Sequence, residues 1–155
     1  MDVHQKSNLR PGRGGRALLK RAARGQMLII LTILIPVMLG VVAMAVDIST
    51  FDWTWSRMQS SADAAALAGC SNLPTSPSRA IATATAYAVT NGMLASEVST
   101  PTVAADNLSI SITLSRSVPY YFGRVLGLTA SPVVVTATAS LLTTGSGTYR
   151  AMLVN

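Results

Sequence analysis

The stretch MLIILTILIPVMLGVVAMAV, residues 27–46, decides how this chain is organised. It has 20 residues, and none of them carries a charge. At an α-helical rise of about 1.5 Å per residue it is about 30 Å long, the thickness of the hydrocarbon core of a bilayer. Pro36 lies in the middle of the stretch, where transmembrane helices tolerate proline. We therefore predict a transmembrane helix over residues 27–46.

The positive charge of the chain is concentrated before this segment. Residues 1–26 carry seven basic residues and one acidic residue, so their net charge of +6 equals that of the whole chain. The basic residues are Lys6, Arg10, Arg13, Arg16, Lys20, Arg21 and Arg24. Because basic residues stay on the cytoplasmic side of a membrane segment, we predict a cytoplasmic tail over residues 1–26 and an extracytoplasmic remainder. Contact with anionic lipid is favoured over nucleic-acid binding, although RPGRGGR at residues 10–16 resembles an RGG segment.

An apolar stripe starts in this segment and continues beyond it with alternating spacings of three and four residues. Its members are Leu34, Val37, Val41, Met44, Ile48, Phe51, Trp55, Met58, Ala62 and Ala65. From Asp47 onward most other positions are polar, Thr54 and Gln59 among them. This spacing predicts one helix that runs to about Gly69 and packs with one face on the chain's own sheet or on another subunit. In the membrane part, Gly40 permits close approach of a neighbouring helix.

Two processing signals compete with an uncleaved anchor. Ala43-Met44-Ala45 fits a signal-peptidase site, but a signal peptide has an apolar run of about 7–15 residues, and a cut here would fall inside the predicted helix. Leu67-Ala68-Gly69-Cys70 resembles a lipoprotein box, which would lipidate the cysteine. However, 23 residues with three Asp and one Arg separate Val46 from Cys70. We predict an uncleaved anchor, with Cys70 a small residue at the helix end.

Elements of an α+β domain follow the long helix. Residues 78–91 read as a helix capped by Ser78, with Ile81, Ala84 and Ala88 on its apolar face. Strict alternation over residues 107–115 and 131–142 predicts two strands. Between them, VPYYFGRVLGL predicts a short helix that ends at Gly127 and turns Phe122, Val125 and Leu126 inward.

The predicted fold is therefore a long N-terminal helix packed on a small, mostly antiparallel sheet with short helices. The boundaries are 1–26 for the tail, 27–46 for the membrane helix, 47–142 for the extracytoplasmic domain and 143–155 for a flexible tail. The last segment also fits a linker followed by a short final strand.

Catalytic and cofactor signals are missing from the sequence. One Cys, one His at position 4 and the lack of a Gly-rich phosphate loop leave no pattern for a metal cluster, a Ser–His–Asp arrangement or a bound cofactor. We predict a protein that is not an enzyme. Asp47, at the membrane edge, is expected to be solvated, or else paired with a basic group of a partner. Trp53 and Trp55 either reach the interfacial zone or, for Trp55, pack on the stripe.

Residues 24–70 resemble the N-terminal part of the TadE/TadG-like Flp (tight adherence) pilus-assembly proteins. The shared features are a basic-Gly start, an apolar segment with a central Pro, then Ala-Val-Asp, and further on Gln-x-x-Ala-Asp-Ala-Ala-Ala-Leu-Ala. The motif residues are Asp47, Gln59, Ala62, Asp63, Ala64, Ala65, Ala66 and Leu67. The resemblance implies a bacterial inner-membrane protein with a periplasmic domain, whose partners are other pilus-assembly or secretion proteins and which leaves a homo-oligomer open.

The same family includes pseudopilins, which a prepilin peptidase cleaves after a Gly and which carry Glu at the fifth mature position. Here Gly25 would precede the cut, and the fifth residue would be Ile30. This departure favours the uncleaved TadG-like type and a structural or scaffolding role. A minor pilin or pseudopilin in a filament and a cleaved periplasmic binding module are the alternatives.

Overall fold

The computed structural model of the chain describes residues 14–144 and 148–154, with side chains in residues 26–142 and 150–154. The chain divides into two compact units, Met1–Val42 and Ala43–Asn155, and helix α1 (Gly14–Cys70) passes from the first into the second. In the described part of the chain, α1 is the one helix long and apolar enough to cross a membrane.

The first unit consists, where it is described, of helix α1 alone. Its apolar side chains from Met27 to Val41 are exposed to at least about half of their area. The one hydroxyl in this stretch, on Thr32, donates to the carbonyl oxygen of Leu28 at 2.7 Å. Such a helix satisfies its own polar groups, as a helix in lipid must.

The second unit contains helix α2 (Pro77–Thr90) and a four-stranded sheet in addition to the end of α1. The strands are β1 (Thr102–Val103), β2 (Ser109–Pro119), β3 (Ala130–Thr144) and β4 (Thr148–Val154). They lie in the order β1-β2-β3-β4, and every neighbouring pair is antiparallel. Two short 3₁₀ turns, Ala95–Glu97 and Gly123–Leu126, interrupt the connections. The predicted α+β arrangement is confirmed.

Alternation along β2 and β3 builds one side of the core. In the register of the two strands, Ile110 lies opposite Ala139 and Leu114 opposite Val135. These side chains are buried, whereas the intervening Ser and Thr residues face away from the core. The period of two that predicted both strands therefore separates a core face from an outer face.

Small side chains bring the helices close to this sheet. On α1 the completely buried residues are Met58, Ala62, Ala65, Ala66 and Cys70, and on α2 they are Ala80, Ala84 and Ala88. A Cβ on Gly69 would lie 2.9 Å from the Ala80 carbonyl oxygen and 2.9 Å from the Ala84 Cβ. The helix ends at Cys70, one residue past the predicted end, so Gly69 serves close packing inside the last turn rather than helix termination.

Helix α2 differs in detail from its prediction. It begins at Pro77 with Ser76 as the N-cap residue, so Ser78 does not cap it. Proline is favoured in the first turn because its missing N–H has no helical partner there. The buried face consists of alanines, and Ile81 is only partly covered.

The C-terminal segment, predicted as a flexible tail over residues 143–155, contains strand β4. This strand pairs with β3 from Thr138 opposite Val154 to Thr144 opposite Thr148. The alternative prediction, a short final strand, describes residues 148–154 correctly. The second unit thus includes β4, which pairs with the second half of β3.

Candidate functional site at the Asp47 turn

Asp47 is the first polar residue after the apolar segment, and its carboxylate accepts backbone hydrogen bonds from a distant loop. Tyr121 donates to Oδ1 at 2.9 Å, Gly123 donates to Oδ2 at 2.7 Å, and Phe122 lies within 3.3 Å of both oxygens. Asp47 is 9 % exposed. The sequence predicted a solvated Asp47 or one paired with a basic group of a partner. The first expectation was wrong, because three amides of the same chain donate to the carboxylate and little of it faces water. Pairing with a partner stays a prediction.

These contacts shape the electrostatics of the site. Burial raises the pKa of the Asp47 carboxyl, but the hydrogen bonds from the backbone of Gly123, Tyr121 and Phe122 outweigh that effect and leave the pKa below its ordinary value of 3.8. Hydrogen bonds from N–H groups stabilise the ionised form of a carboxyl group. The negative charge of Asp47 is thus stabilised by oriented backbone N–H groups instead of water.

The loop that donates these hydrogen bonds joins β2 to β3 and is closed by its own backbone. Tyr120 N–H donates to the Thr129 carbonyl oxygen at 3.2 Å, and Leu128 N–H donates to that of Gly123 at 3.0 Å. The 3₁₀ turn Gly123–Leu126 ends at Gly127, whose φ of +84° favours glycine. The predicted end of the short helix at Gly127 is confirmed.

The direction of the loop's apolar side chains was predicted wrongly. Phe122, Val125 and Leu126 were expected to turn inward, but Val125 is 87 % exposed, Leu126 is 77 % exposed and Phe122 is about half exposed. Tyr121 and Leu128 in the same loop are also exposed. We call these five residues the apolar loop face. Asp47 fixes this loop through its backbone N–H groups, so the loop does not need to bury its side chains to keep its position.

The residues of the sequence motif lie further along α1 and pack the domain. Gln59 Nε2 donates to Asp63 Oδ1 at 2.9 Å and lies 3.5 Å from the carbonyl oxygen of Thr136 in β3. Ala62, Ala65 and Ala66 are completely buried, Ala64 is half-buried, and Leu67 packs partly on the core. The motif therefore keeps α1 close to the sheet, and Asp47 is its one member at the loop.

The predicted packing stripe meets the chain's own core only in part. Met58, Ala62 and Ala65 are completely buried and Phe51 is partly buried, but Trp55 is 45 % exposed and Ile48 is also exposed. Thr54, predicted for the polar side, is buried instead and donates to the Thr50 carbonyl oxygen at 2.8 Å. Towards the N-terminus of the helix, the members Leu34, Val37, Val41 and Met44 are exposed. Their role as a packing face stays a prediction.

Other predicted sites fall as follows. Lys6, Arg10 and Arg13 lie outside the described residues, and Arg16, Lys20, Arg21 and Arg24 belong to α1, where their side chains are not described.

Cys70 is the last residue of α1 and is buried, and burial raises the pKa of its thiol. Trp53 is exposed, and the Arg57 guanidinium lies 5.4 Å from the centre of its ring. Over residues 14–144 and 148–154, no group of three His, Cys, Asp or Glu side chains could hold a metal ion.

Sequence reasoning missed the contact between Asp47 and the loop because 74 residues separate Asp47 from Tyr121. One signal was present: an acidic residue directly after an apolar membrane segment is costly unless something neutralises it. Nothing in the sequence named the partner, because backbone amides carry no residue identity.

Comparison with known proteins bears on the first half of the chain. Residues 25–88 match the family model of Flp pilus-assembly TadE/G-like proteins (Tad), a range that includes the apolar segment, Asp47, the alanine-rich motif and most of α2. Among curated proteins and solved structures, no significant match was found. The match suggests a structural, non-enzymatic protein that interacts with other pilus components. Together, the matched range and the apolar helix support a membrane component of pilus assembly with a single-pass anchor, similar over residues 25–88 to the TadE/G-like proteins.

Proposed function

We propose that this chain is a scaffolding component of the Flp (Tad) pilus-assembly or secretion apparatus, of the TadG-like type. It crosses the inner membrane once, over residues 27–46, with residues 1–26 in the cytoplasm and the α+β domain in the periplasm. The observation that carries the proposal is the double use of α1. Over residues 27–46 the large apolar side chains of the helix are exposed, and further on the helix supplies Met58, Ala62 and Ala65 to the domain core.

This double use favours a protein that remains in the membrane. A cut after Ala45 would make Val46 a new charged N-terminus directly before Asp47, in the turn of α1 whose carboxylate holds the loop. A domain whose core includes residues of the same helix stays joined to its anchor as long as the chain is not cut between them. A scaffold that holds other components at the membrane needs this permanent attachment.

Orientation can be tested with a pair of reporters at the end of the chain. Alkaline phosphatase, which is active only after export, and a fluorescent protein, which matures in the cytoplasm, are each fused after Asn155. We expect phosphatase activity and no fluorescence. Fusion after residue 142 would be unsuitable because it would separate β4 from β3. Cytoplasmic fluorescence would contradict the proposed topology.

The charge of the tail provides the matched control. Replacing its seven basic residues with Gln should produce a mixed orientation, because the positive-inside signal is lost. Replacing Asp2 with Asn should leave the orientation unchanged, because acidic residues contribute little to it.

The membrane part of the stripe is proposed as a surface for helix association. At Gly40, an added Cβ would meet nothing within 4 Å among the described residues, so a larger side chain there leaves the chain's own fold undisturbed. Gly40→Leu should nevertheless weaken association in the membrane, because small residues permit close helix approach. Leu39→Ala, on the opposite side of the helix from the stripe, is the control. Cross-linking in native membranes measures both, and equal yields for the two variants would refute the packing face.

Processing separates this proposal from its two alternatives. Intact mass and N-terminal sequencing of protein purified from membranes should give a start at or near Met1. A start at Gln26 would favour a pseudopilin, and a start at Val46 would favour a released periplasmic module.

A further inference from the structure

The apolar loop face and the end of the apolar segment are joined by Asp47. The last residues of that segment, from Ala43 to Val46, belong to the same compact unit as the loop. Asp47 follows Val46 directly, and its carboxylate lies 2.7–3.3 Å from the amide nitrogens of residues 121–123. The loop backbone is therefore held by hydrogen bonds to the first residue after the membrane segment.

The exposed side chains of the loop have the composition of a lipid-facing surface. Tyr121, Phe122, Val125, Leu126 and Leu128 are all exposed. Exposed patches of this kind mark interaction sites in soluble and membrane proteins. Between Pro119 and Ala130 the only charged residue is Arg124, and there is no acidic residue. Aromatic rings favour the membrane–water interface, and an Arg side chain there pairs with lipid phosphates.

We propose that the apolar loop face inserts into the interfacial layer of the bilayer on the side where α1 leaves it. The proposal rests on the membrane placement of residues 27–46 given above, and it adds a second, non-helical contact with lipid to that anchor. Asp47 is a positioning residue in this arrangement, because it holds the loop backbone in place without contacting lipid itself. A second point of contact limits tilting and rotation of the domain about its single helix.

Lipid is favoured over a protein partner as the occupant for reasons of position and charge. A loop tied to the first residue after a membrane segment lies at the depth of the headgroups, which extend about 5–7 Å beyond the hydrocarbon core on each side. Apolar side chains at such a surface bury about 5–10 Å deep at the boundary of headgroups and acyl chains. Asp47 keeps its negative charge, but the residue is only 9 % exposed and its oxygens accept hydrogen bonds from the loop amides, which stabilise that charge away from the lipid-facing side chains.

Spin labels on the full chain in nanodiscs of phosphatidylethanolamine and phosphatidylglycerol test the proposal. Single cysteines are introduced as Val125→Cys, Leu142→Cys and Leu39→Cys. The native Cys70 is buried and stays unlabelled, and labelled wild-type protein measures the background. Val125 is exposed, so its replacement does not disturb the fold. Leu142 is a matched control, an exposed aliphatic residue near the other end of β3.

The measurement is the accessibility of each label to oxygen, which concentrates in lipid, relative to a water-soluble nickel complex. We expect this ratio at Val125 to shift from the value at Leu142 towards the value at Leu39. A ratio at Val125 equal to that at Leu142 overturns the proposal. Protection of Val125 from both reagents also overturns it, in favour of a protein partner or a second copy.

Leu39 separates failure of this inference from failure of the proposed function. An aqueous Val125 with an embedded Leu39 refutes loop insertion and leaves the anchor standing, whereas an aqueous Leu39 refutes both. A second variant tests the positioning role. Asp47→Ala should shift the accessibility ratio at Val125 towards the aqueous value without changing the ratio at Leu142. Asp47→Asn keeps one acceptor oxygen, so its ratio at Val125 should lie between those of Asp47→Ala and the wild type. An unchanged Val125 ratio in Asp47→Ala refutes the role of Asp47.

Discussion

Two parts of α1 differ in which side chains they bury: one exposes large apolar side chains, and the other buries small ones. In residues 27–46 the large apolar side chains, such as Ile33 and Leu39, are exposed. In the last turns of the same helix, the small side chains of Ala62, Ala65 and Ala66 are completely buried. The first part has no contact surface within the described chain to account for its hydrophobicity, and the second has a close-fitting one.

The difference shows that hydrophobicity alone does not predict what covers a residue. Exposing apolar surface to water costs about 25 cal/mol per Å², so a run of exposed large apolar side chains along residues 27–46 implies a solvent other than water. Alanines gain little from burial, and their value lies in letting a helix approach a sheet closely enough for dense packing. Size therefore indicates lipid contact in one part of the helix and close protein contact in the other.

The largest test of this comparison removes a large side chain from the buried face of α1. Met58→Ala should lower the free energy of unfolding by about 2–5 kcal/mol, because the side chain is completely buried. Trp55→Ala, three residues away and 45 % exposed, should lower it much less. Chemical denaturation of the full chain in detergent, followed by circular dichroism, measures both. Equal losses would show that a surface outside this chain covers Trp55.

Adding volume to the close contact should have the next largest effect. Gly69→Leu should cost about 1–3 kcal/mol or more, because its Cβ would lie 2.9 Å from the Ala80 carbonyl oxygen. Gly40→Leu, in the exposed part, should leave the free energy of unfolding within about 0.5 kcal/mol of wild type. Equal free energies of unfolding for Gly69→Leu and Gly40→Leu would show that close packing does not distinguish the two parts of the helix.

Acid should weaken the domain but not residues 27–46, which contain no titratable group. Arg116 donates to Glu97 with both N···O distances at 2.6 Å. This hydrogen bond lowers the pKa of the Glu97 carboxyl below its ordinary value of 4.5, against the opposing effect of burial. The folded state thus binds fewer protons than the unfolded state, so the stabilisation is complete above about pH 4.5 and is lost as the pH falls through the lower, folded-state pKa.

The Glu97→Gln variant isolates this contribution. It should cost about 1 kcal/mol at neutral pH, because the pair is partly exposed, and should flatten the decline between pH 4.5 and more acidic values. Asp47 titrates in the same direction in both proteins, so the difference between their pH profiles belongs to Glu97. Denaturation curves measured at several pH values provide the test, and parallel profiles would contradict it.

The smallest predicted effect has the opposite sign. Ser61 lies on the buried face of α1, and its Oγ has no hydrogen-bond partner among the described residues. Ser61→Ala should raise the free energy of unfolding by up to about 1 kcal/mol, because an unsatisfied buried hydroxyl is removed. Ser60→Ala, at an exposed neighbour, should change it by less than about 0.5 kcal/mol. A loss of stability in Ser61→Ala would show that its hydroxyl is satisfied.

Local patterns were sufficient to predict most elements of the fold. The alternation of Ile110 and Ile112 with Ser and Thr predicted β2, and Val133 and Val135 did the same for β3. The end of α1 and the turn at Gly127 were also predicted closely. These features depend on the period of a strand or helix and on the backbone freedom of glycine, which the sequence contains directly.

The sequence by itself determined the charged tail, the apolar segment, the helix that follows it and strands β2 and β3, because composition and period are properties of neighbouring residues. Only the tertiary structure decided that Thr54, and not Trp55, lies on the buried face of α1, and that the β2–β3 loop turns Val125 and Leu126 outward. It also decided the partner of Asp47. The physical reason is that these outcomes depend on backbone amides and surfaces brought together from residues more than 70 positions apart, and an amide donor is the same whatever side chain it carries.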